Sequence, residues 1–201
     1  MRTQKIFNGE TELVNINDIT ADEYARAYSL MSAEKKQRVD RFRFDEDKKR
    51  STAGEILARK LISAHCGTPA ESIAFCTGEQ GKPFANGLDV EFNISHSGEI
   101  VICTVSDKPV GIDVEMISDI NTSVADRFCT DSELAFLRDK SITHAEALNC
   151  FYRIWTFKEA YLKRAGTGIA NVDLKSAQYP ADAEFAEFKT DKAEYIICLY
   201  K

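Results

Sequence analysis

Proline and tryptophan are scarce in this chain, with four prolines and one tryptophan among 201 residues. No segment is biased enough for a collagen-like, low-complexity or disordered architecture, since 44% of residues are hydrophobic and 29% charged. No long apolar run exists either. The longest, at 100–103 and 195–200, are strand-sized and far below the roughly 18–20 residues of a spanning helix. The first residues, Met1 to Lys5, lead into no apolar signal region, so a cytoplasmic protein is expected. C-x-x-C pairs are also missing. The six cysteines, Cys66, Cys76, Cys103, Cys129, Cys150 and Cys198, lie apart, which argues for reduced thiols and against a disulfide framework or zinc ribbon.

Charge is present but unevenly spread. Residues 35–60 hold ten Lys/Arg against five Asp/Glu, a net +5, so the remainder of a −6 chain sums to −11. A basic segment on an acidic body suits an anionic partner bound at one place. It also suits a solvated helix face with internal ion pairs. An overall pI near 5.2 disfavours general nucleic-acid binding.

At this length a chain is one large domain or two small ones. No linker or short repeat divides it. Strands are expected at 4–7 and 11–16, helices at 21–30, 32–41 (capped by Ser32) and 45–66, and a short strand at 73–76. A turn-rich loop follows at 78–83. Further strands fall at 90–95, 100–105 and 110–115. A helix capped by Thr130 or Asp131 runs to Asp139, and a long one spans 143–164 with Gly166 as its stop. Strands at 183–189 and 194–200 close the chain. This order predicts an α+β fold of two similar halves, 1–106 and 107–201.

Three segments carry chemistry. In Val110-Gly111-Ile112-Asp113-Val114-Glu115, strand alternation puts Asp113 and Glu115 on one face, about 6.5–7 Å apart. Paired carboxylates suit Mg2+ or Mn2+; the same pattern also describes an edge strand with an open polar face. Asp113 is expected to be exposed, so its loss leaves no core cavity. Glu159 and Lys163 sit one helical turn apart, either as a metal ligand and a phosphate contact or as a plain ion pair. Phe151, Trp155 and Leu162 fit a core stripe. Phe92-Asn93-Ile94-Ser95-His96-Ser97-Gly98 ends a strand with a hydroxyl, an imidazole and free N–H groups, a reasonable anion site. A Ser-His hydrolase is the competing reading, but the chain has no G-x-S-x-G elbow, and adjacent strand residues point to opposite faces. His65 and His144 have no sequence partners.

In order and spacing, G-K-P at 81–83, F-N-I-S-H-S at 92–97, V-G-I-D-V-E at 110–115 and W-x-x-K-E-A-x-x-K at 155–163 resemble the 4′-phosphopantetheinyl transferases of the surfactin-synthetase-activating type. The match runs from Lys35 to Lys163. It implies a pseudo-twofold monomer with coenzyme A in the cleft between the halves. It further implies transfer of the phosphopantetheine arm to a serine of an apo acyl or peptidyl carrier protein, releasing adenosine 3′,5′-bisphosphate. Neither a nucleic acid nor a membrane is an implied partner. Carried over by position, Asp113, Glu115 and Glu159 hold Mg2+ (or Mn2+). Lys163 contacts the pyrophosphate, with Lys158 on the same or a neighbouring helix face. Lys82, Ser95 and His96 bind coenzyme A phosphates, His96 the 3′-phosphate. Lys35, Arg38, Arg50 and Ser51 grip the nucleotide end; Arg38 and Ser51 stand where relatives often have Lys and Thr. The C-terminal half is short for the family.

Phosphoryl transfer needs positioning and charge neutralisation more than covalent help. Glu159 or a metal-bound water is the candidate base for the serine hydroxyl, and Lys163 the neutraliser of the leaving phosphate. Two other functions share these residues: a non-catalytic carrier-protein or nucleotide-binding module, and a Mg2+-dependent coenzyme A phosphohydrolase.

Overall fold

The computed structural model describes residues 1–78, 80–120, 122–166, 174–177 and 183–201. Glu79, inside the loop expected at 78–83, lies outside the described residues. The fold is α+β. Strands β1 (Gln4–Ile6) and β2 (Thr11–Asn15) precede helices α1 (Ala21–Leu30), α2 (Ala33–Asp40) and α3 (Asp45–Cys66). Strands β3 (Phe75–Thr77) and β4 (Pro83–Ala85), the latter not expected from pattern, form a small hairpin. Then come β5 (Glu91–Ser97), β6 (Ile100–Ser106), β7 (Gly111–Met116), α4 (Asp131–Leu137), α5 (His144–Ala165), β8 (Glu184–Lys189) and β9 (Glu194–Tyr200).

Local chemistry sets the helix ends. Thr20, Thr130 and Thr143 each cap a helix reciprocally with a glutamate three residues on, and Ser32 accepts the Lys35 N–H. The two long helices match in register. α3 and α5 are both 22 residues, offset by 99 positions (45 to 144, 66 to 165), and Gly67 and Gly166 stop them in left-handed backbone.

The sheets repeat the same order. In the first half β6 lies between β2 and β5; in the second β9 lies between β7 and β8, and all pairings are antiparallel. Each half is thus a strand, a helical stretch and a hairpin whose last strand inserts between the other two. Four layers result. Helix α3 packs on one face of the first sheet through Leu57, Ile62, Phe92 and Val101. The other face, with Leu13, Ile100 and Ile102, packs on Ile112, Val114, Tyr195 and Ile197 of the second sheet. The far side of that sheet, Ile196 and Cys198, receives Phe151, Phe157 and Ala160 of α5. Burying each such large side chain contributes about 1.5–3 kcal/mol.

The edges of β5 and β7 meet without forming a ladder. Instead, alternate β5 side chains cap the free β7 amides. Ile112 N–H donates to Asn93 Oδ1 (2.9 Å), Val114 N–H to Ser95 Oγ (3.4 Å) and Met116 N–H to Ser97 Oγ (3.1 Å). An exposed strand edge is costly; this zipper satisfies it and joins the two halves.

Candidate active site

Gly111 lets α5 approach β7 at backbone distance. A Cβ there would lie 1.9 Å from Ala160 O and 2.6 Å from Arg164 N. That contact brings Lys163 to Asp113 and sets Glu159 within electrostatic reach of Lys163 and Glu115. The Lys163 ammonium donates to Asp113 Oδ1 (2.5 Å) and Ser95 Oγ (2.9 Å), and the Ser95 hydroxyl donates to Asp113 Oδ1 (2.8 Å). Lys163 therefore pairs with Asp113; the ion pair with Glu159 expected from helix spacing is not the one formed.

Asp113 is only 2% exposed, which corrects the open polar face expected of it: alternation put it opposite Ile112 and Val114, but that side is covered by α5. Burial pushes its carboxyl up to about 7, against the opposing pull of Lys163, with Glu115 adding repulsion. Burial also raises Glu159, again opposed by Lys163 and assisted by Glu115. Among the described residues, Asp113 Oδ2 and Glu159 Oε1 are buried with no hydrogen-bond partner, an arrangement that is costly unless a cation or donor arrives. Glu115 is oriented on both oxygens: Ser97 Oγ donates to Oε2 (2.8 Å) and Trp155 Nε1 to Oε1 (3.1 Å).

The carboxylates are coupled in charge, yet among the described residues no group of three His, Cys, Asp or Glu side chains is gathered into a metal cage. Lys163 holds Asp113 instead. The donor set still fits a hard divalent ion, which binds through one or two carboxylates and keeps water and phosphate ligands. Two unpartnered carboxylate oxygens are what such an ion would occupy.

The first half has a matching place with opposite chemistry. Glu12 pairs in register with Cys103 there, as Asp113 does with Cys198 here. Lys60, 99 positions before Glu159, reaches Glu12 Oε2 at 2.5 Å. That pair is closed; the acidic surplus belongs to the second half.

The expected anion-binding residues divide. His96 lies on the opposite face of β5 from Ser95, open at its edge. Desolvation first, then the Arg50 and Lys163 charges, hold its imidazole below the usual range. Arg50 donates to Gly98 O (2.8 Å) and Asp47 (2.6 Å) beside it, and Ser51 follows, half-buried, on α3. Lys82 pairs with Glu91 (3.0 Å), and its Cδ lies 3.5 Å from the Cβ position at Gly166, next to the end of α5. Lys35 and Arg38 line a groove of about 760 Å³ with Arg41, Phe92 and Ile94. There Lys35 is held by buried Glu55 (3.0 Å), which also binds Arg59.

Two expectations need correction. Ser95 is 5% exposed and its hydroxyl is committed to Asp113, Lys163 and Val114, so it serves the carboxylate side and not the anion side. Lys158 is fully buried and bonds Leu174 O (2.8 Å), Ala177 O (3.3 Å) and Glu133 (3.1 Å). One residue before Glu159, it is rotated about 100° around the helix into the core. Its counterpart 99 positions earlier, Arg59, likewise binds Ala70 O and Ile73 O. Trp155, expected in the core stripe, packs on Phe128 (4.8 Å) but also reaches Glu115. Ser97 was missed; its signal was an S-x-S pair matching D-x-E at a constant separation of 18 residues. His65 and His144 make surface pairs with Asp107 and Asp119, and all six cysteines are free.

Comparison with known proteins matches both halves of the chain. A family profile described as 4′-phosphopantetheinyl transferase, N-terminal, matches residues 18–108, and one for the 4′-phosphopantetheinyl transferase superfamily matches residues 109–197. The chain is 39% identical over 153 residues to 4′-phosphopantetheinyl transferase gsp of Aneurinibacillus migulanus, covering 76% of this chain and 63% of that protein. It is 37% identical over 155 residues to 4′-phosphopantetheinyl transferase Sfp of Bacillus subtilis (strain 168), covering 76% and 67%. HetI of Nostoc sp., also named a 4′-phosphopantetheinyl transferase, is 34% identical over 153 residues, covering 72% and 63%. The chain thus spans about two thirds of the length of these relatives. With both of its halves matched, the chain belongs to the 4′-phosphopantetheinyl transferase superfamily.

Proposed function

We propose that this chain transfers the 4′-phosphopantetheine arm of coenzyme A to a serine hydroxyl of an apo acyl or peptidyl carrier protein, releasing adenosine 3′,5′-bisphosphate. The carrying observation is the pair of buried, unpartnered oxygens, Asp113 Oδ2 and Glu159 Oε1, beside the Lys163 ammonium where the two halves join. A diphosphate and a divalent ion together answer that charge pattern. Asp113, Glu115 and Glu159 would hold Mg2+, or Mn2+ in its place, which when bound neutralises the diphosphate.

Glu159 accepts the proton of the attacking serine. The serine oxygen forms a bond to the phosphorus bearing pantetheine, and the bond from that phosphorus to the bridging oxygen breaks. Lys163 neutralises the departing phosphate, whose charge grows in the transition state. His96, Arg50, Ser51 and Lys82 bind the phosphates on the coenzyme side, and Lys35 and Arg38 the nucleotide end. In this reading 1–106 and 107–201 are the two subdomains, the cleft is their junction, and a monomer suffices. Cytoplasmic residence accords with six free thiols, and among the described residues no helix is long and apolar enough to cross a membrane.

The test is mass spectrometry of purified apo carriers, one each from fatty-acid, polyketide and peptide synthesis, incubated with the protein, Mg2+ and coenzyme A. A gain of one phosphopantetheine on the carrier serine is expected. Phosphopantetheine released to water with no carrier modified would identify a phosphohydrolase, and no turnover of either kind a binding module.

A further inference from the structure

We infer that Ser97 is a positioning residue for Glu115, aiming that carboxylate through a relay that begins at the Met116 amide. The inference rests on the transferase reading and names which of this chain's own residues prepare its cation ligand.

A serine hydroxyl has one proton and two lone pairs. Ser97 Oγ accepts the Met116 N–H at 3.1 Å, so its proton is free to point elsewhere. Glu115 Oε2 lies 2.8 Å away and takes it. The other oxygen, Oε1, accepts Trp155 Nε1–H at 3.1 Å. The two donors come from different halves, β5 and α5, so Glu115 is gripped from both sides of the junction. Both are neutral. They fix the carboxylate's rotation without cancelling its charge, and each bond leaves its oxygen acceptor capacity to spare.

Asp113 is treated differently. Ser95 makes the same relay from Val114 N–H, but there the Lys163 ammonium also binds the carboxylate. Among the described residues, Glu115 is consequently the carboxylate aimed by a hydroxyl and an indole. The Ser97 position is secured next door, where Arg50 clamps the Gly98 carbonyl at the β5–β6 turn. Groups that orient a ligand in this way typically change metal affinity 10–100-fold when removed.

The test uses the full chain and Mn2+ as probe, with free Mn2+ counted by electron paramagnetic resonance so that binding is read without turnover. Ser97→Ala should weaken Mn2+ binding about tenfold or more and raise the Mg2+ needed for half-maximal carrier modification in step. Its kcat at saturating metal should stay within about threefold of wild type, the split expected of positioning without chemistry. Ser97→Thr keeps the hydroxyl and should restore Mn2+ affinity to within about twofold, because the relay is rebuilt. Trp155→Phe keeps the ring on Phe128 and should weaken binding several-fold through loss of one neutral hydrogen bond. A folded Ser97→Ala that binds Mn2+ as wild type does, or a Thr variant as weak as the Ala one, overturns the inference. If Ser97→Ala does not fold, unchanged Mn2+ affinity in Trp155→Phe overturns it, and so does a wild-type chain that binds no Mn2+. A wild-type chain that binds Mn2+ with the expected Ser97 dependence but modifies no carrier defeats the transferase reading alone.

Discussion

Lys163 Nζ sits 2.5 Å from Asp113 Oδ1, while Oδ2 of the same carboxylate is buried with no partner among the described residues. One oxygen is neutralised from helix α5, while the neighbouring Glu115 charge repels the carboxylate. The ammonium thus ties helix α5 to strand β7 and offsets part of the buried negative charge.

Protonation should compete with that cation. Burial lifts Asp113 from its ordinary 3.8 to about 7, so between those values the folded protein keeps a proton that the unfolded chain has lost. This group's contribution to stability therefore falls as pH rises from about 4 to 7. A divalent ion favours the carboxylate and offsets the loss. The rise in Tm produced by Mg2+ should be larger at pH 8 than at pH 5.5 in scanning calorimetry. Asp113→Asn, close in shape, should fold, lose most transfer and remove that pH difference. An equal Mg2+ effect at both pH values would contradict the assignment.

Lys163 separates chemistry from scaffolding. Lys163→Gln should lower kcat by about 10²–10³ if the ammonium neutralises the leaving phosphate, with a smaller loss in coenzyme A affinity because His96, Arg50 and Lys82 remain. Circular dichroism controls for folding. Near-normal kcat would reduce Lys163 to the structural partner of Asp113.

His96 should report the phosphate directly. Its imidazole is held low by desolvation and by the Arg50 and Lys163 charges, so it is neutral at pH 7 in the free protein. A bound dianion reverses that field, and the His96 pKa should climb when coenzyme A is added, read from its ring protons by NMR. His96→Ala should weaken coenzyme A about tenfold more than 3′-dephospho-coenzyme A, a charge-assisted bond being worth roughly 1.5–3 kcal/mol. Equal losses for both would take His96 off the 3′-phosphate.

Gly111→Ala tests the helix–strand contact. The new methyl would need space 1.9 Å from Ala160 O, a backbone atom that cannot swing aside. Urea unfolding should show a loss of about 3 kcal/mol or more, and any folded fraction should transfer poorly because α5 carries Glu159 and Lys163. A variant of wild-type stability and activity would mean that α5 does not press on β7 as described.

Much of this was legible in residue order. Helical spacing over 45–66 and 143–164, strand alternation over 110–115 and the Gly stops are local, period-2 or period-3.6 facts, and α3, α5 and β7 follow them closely. So did the chemistry-bearing types: an acid pair on β7 and an acid and lysine one turn apart on α5. The short hairpin strand β4, with Pro83 at its start, carries too little periodicity to be seen.

Partnership was decided by tertiary structure. Spacing paired Lys163 with Glu159, but the close approach at Gly111 offered it Asp113. Strand alternation already set Ser95 and His96 on opposite faces, but only the docking of β7 and α5 gave Ser95's face to the carboxylates. Lys158, adjacent to Glu159, turned into the core. The same D-x-E pattern that reads as an open edge became a buried, half-satisfied site because α5 covers it. Periodicity along a strand says which residues share a face; what covers that face depends on how helix and sheet edge dock, and no local pattern contains that distance.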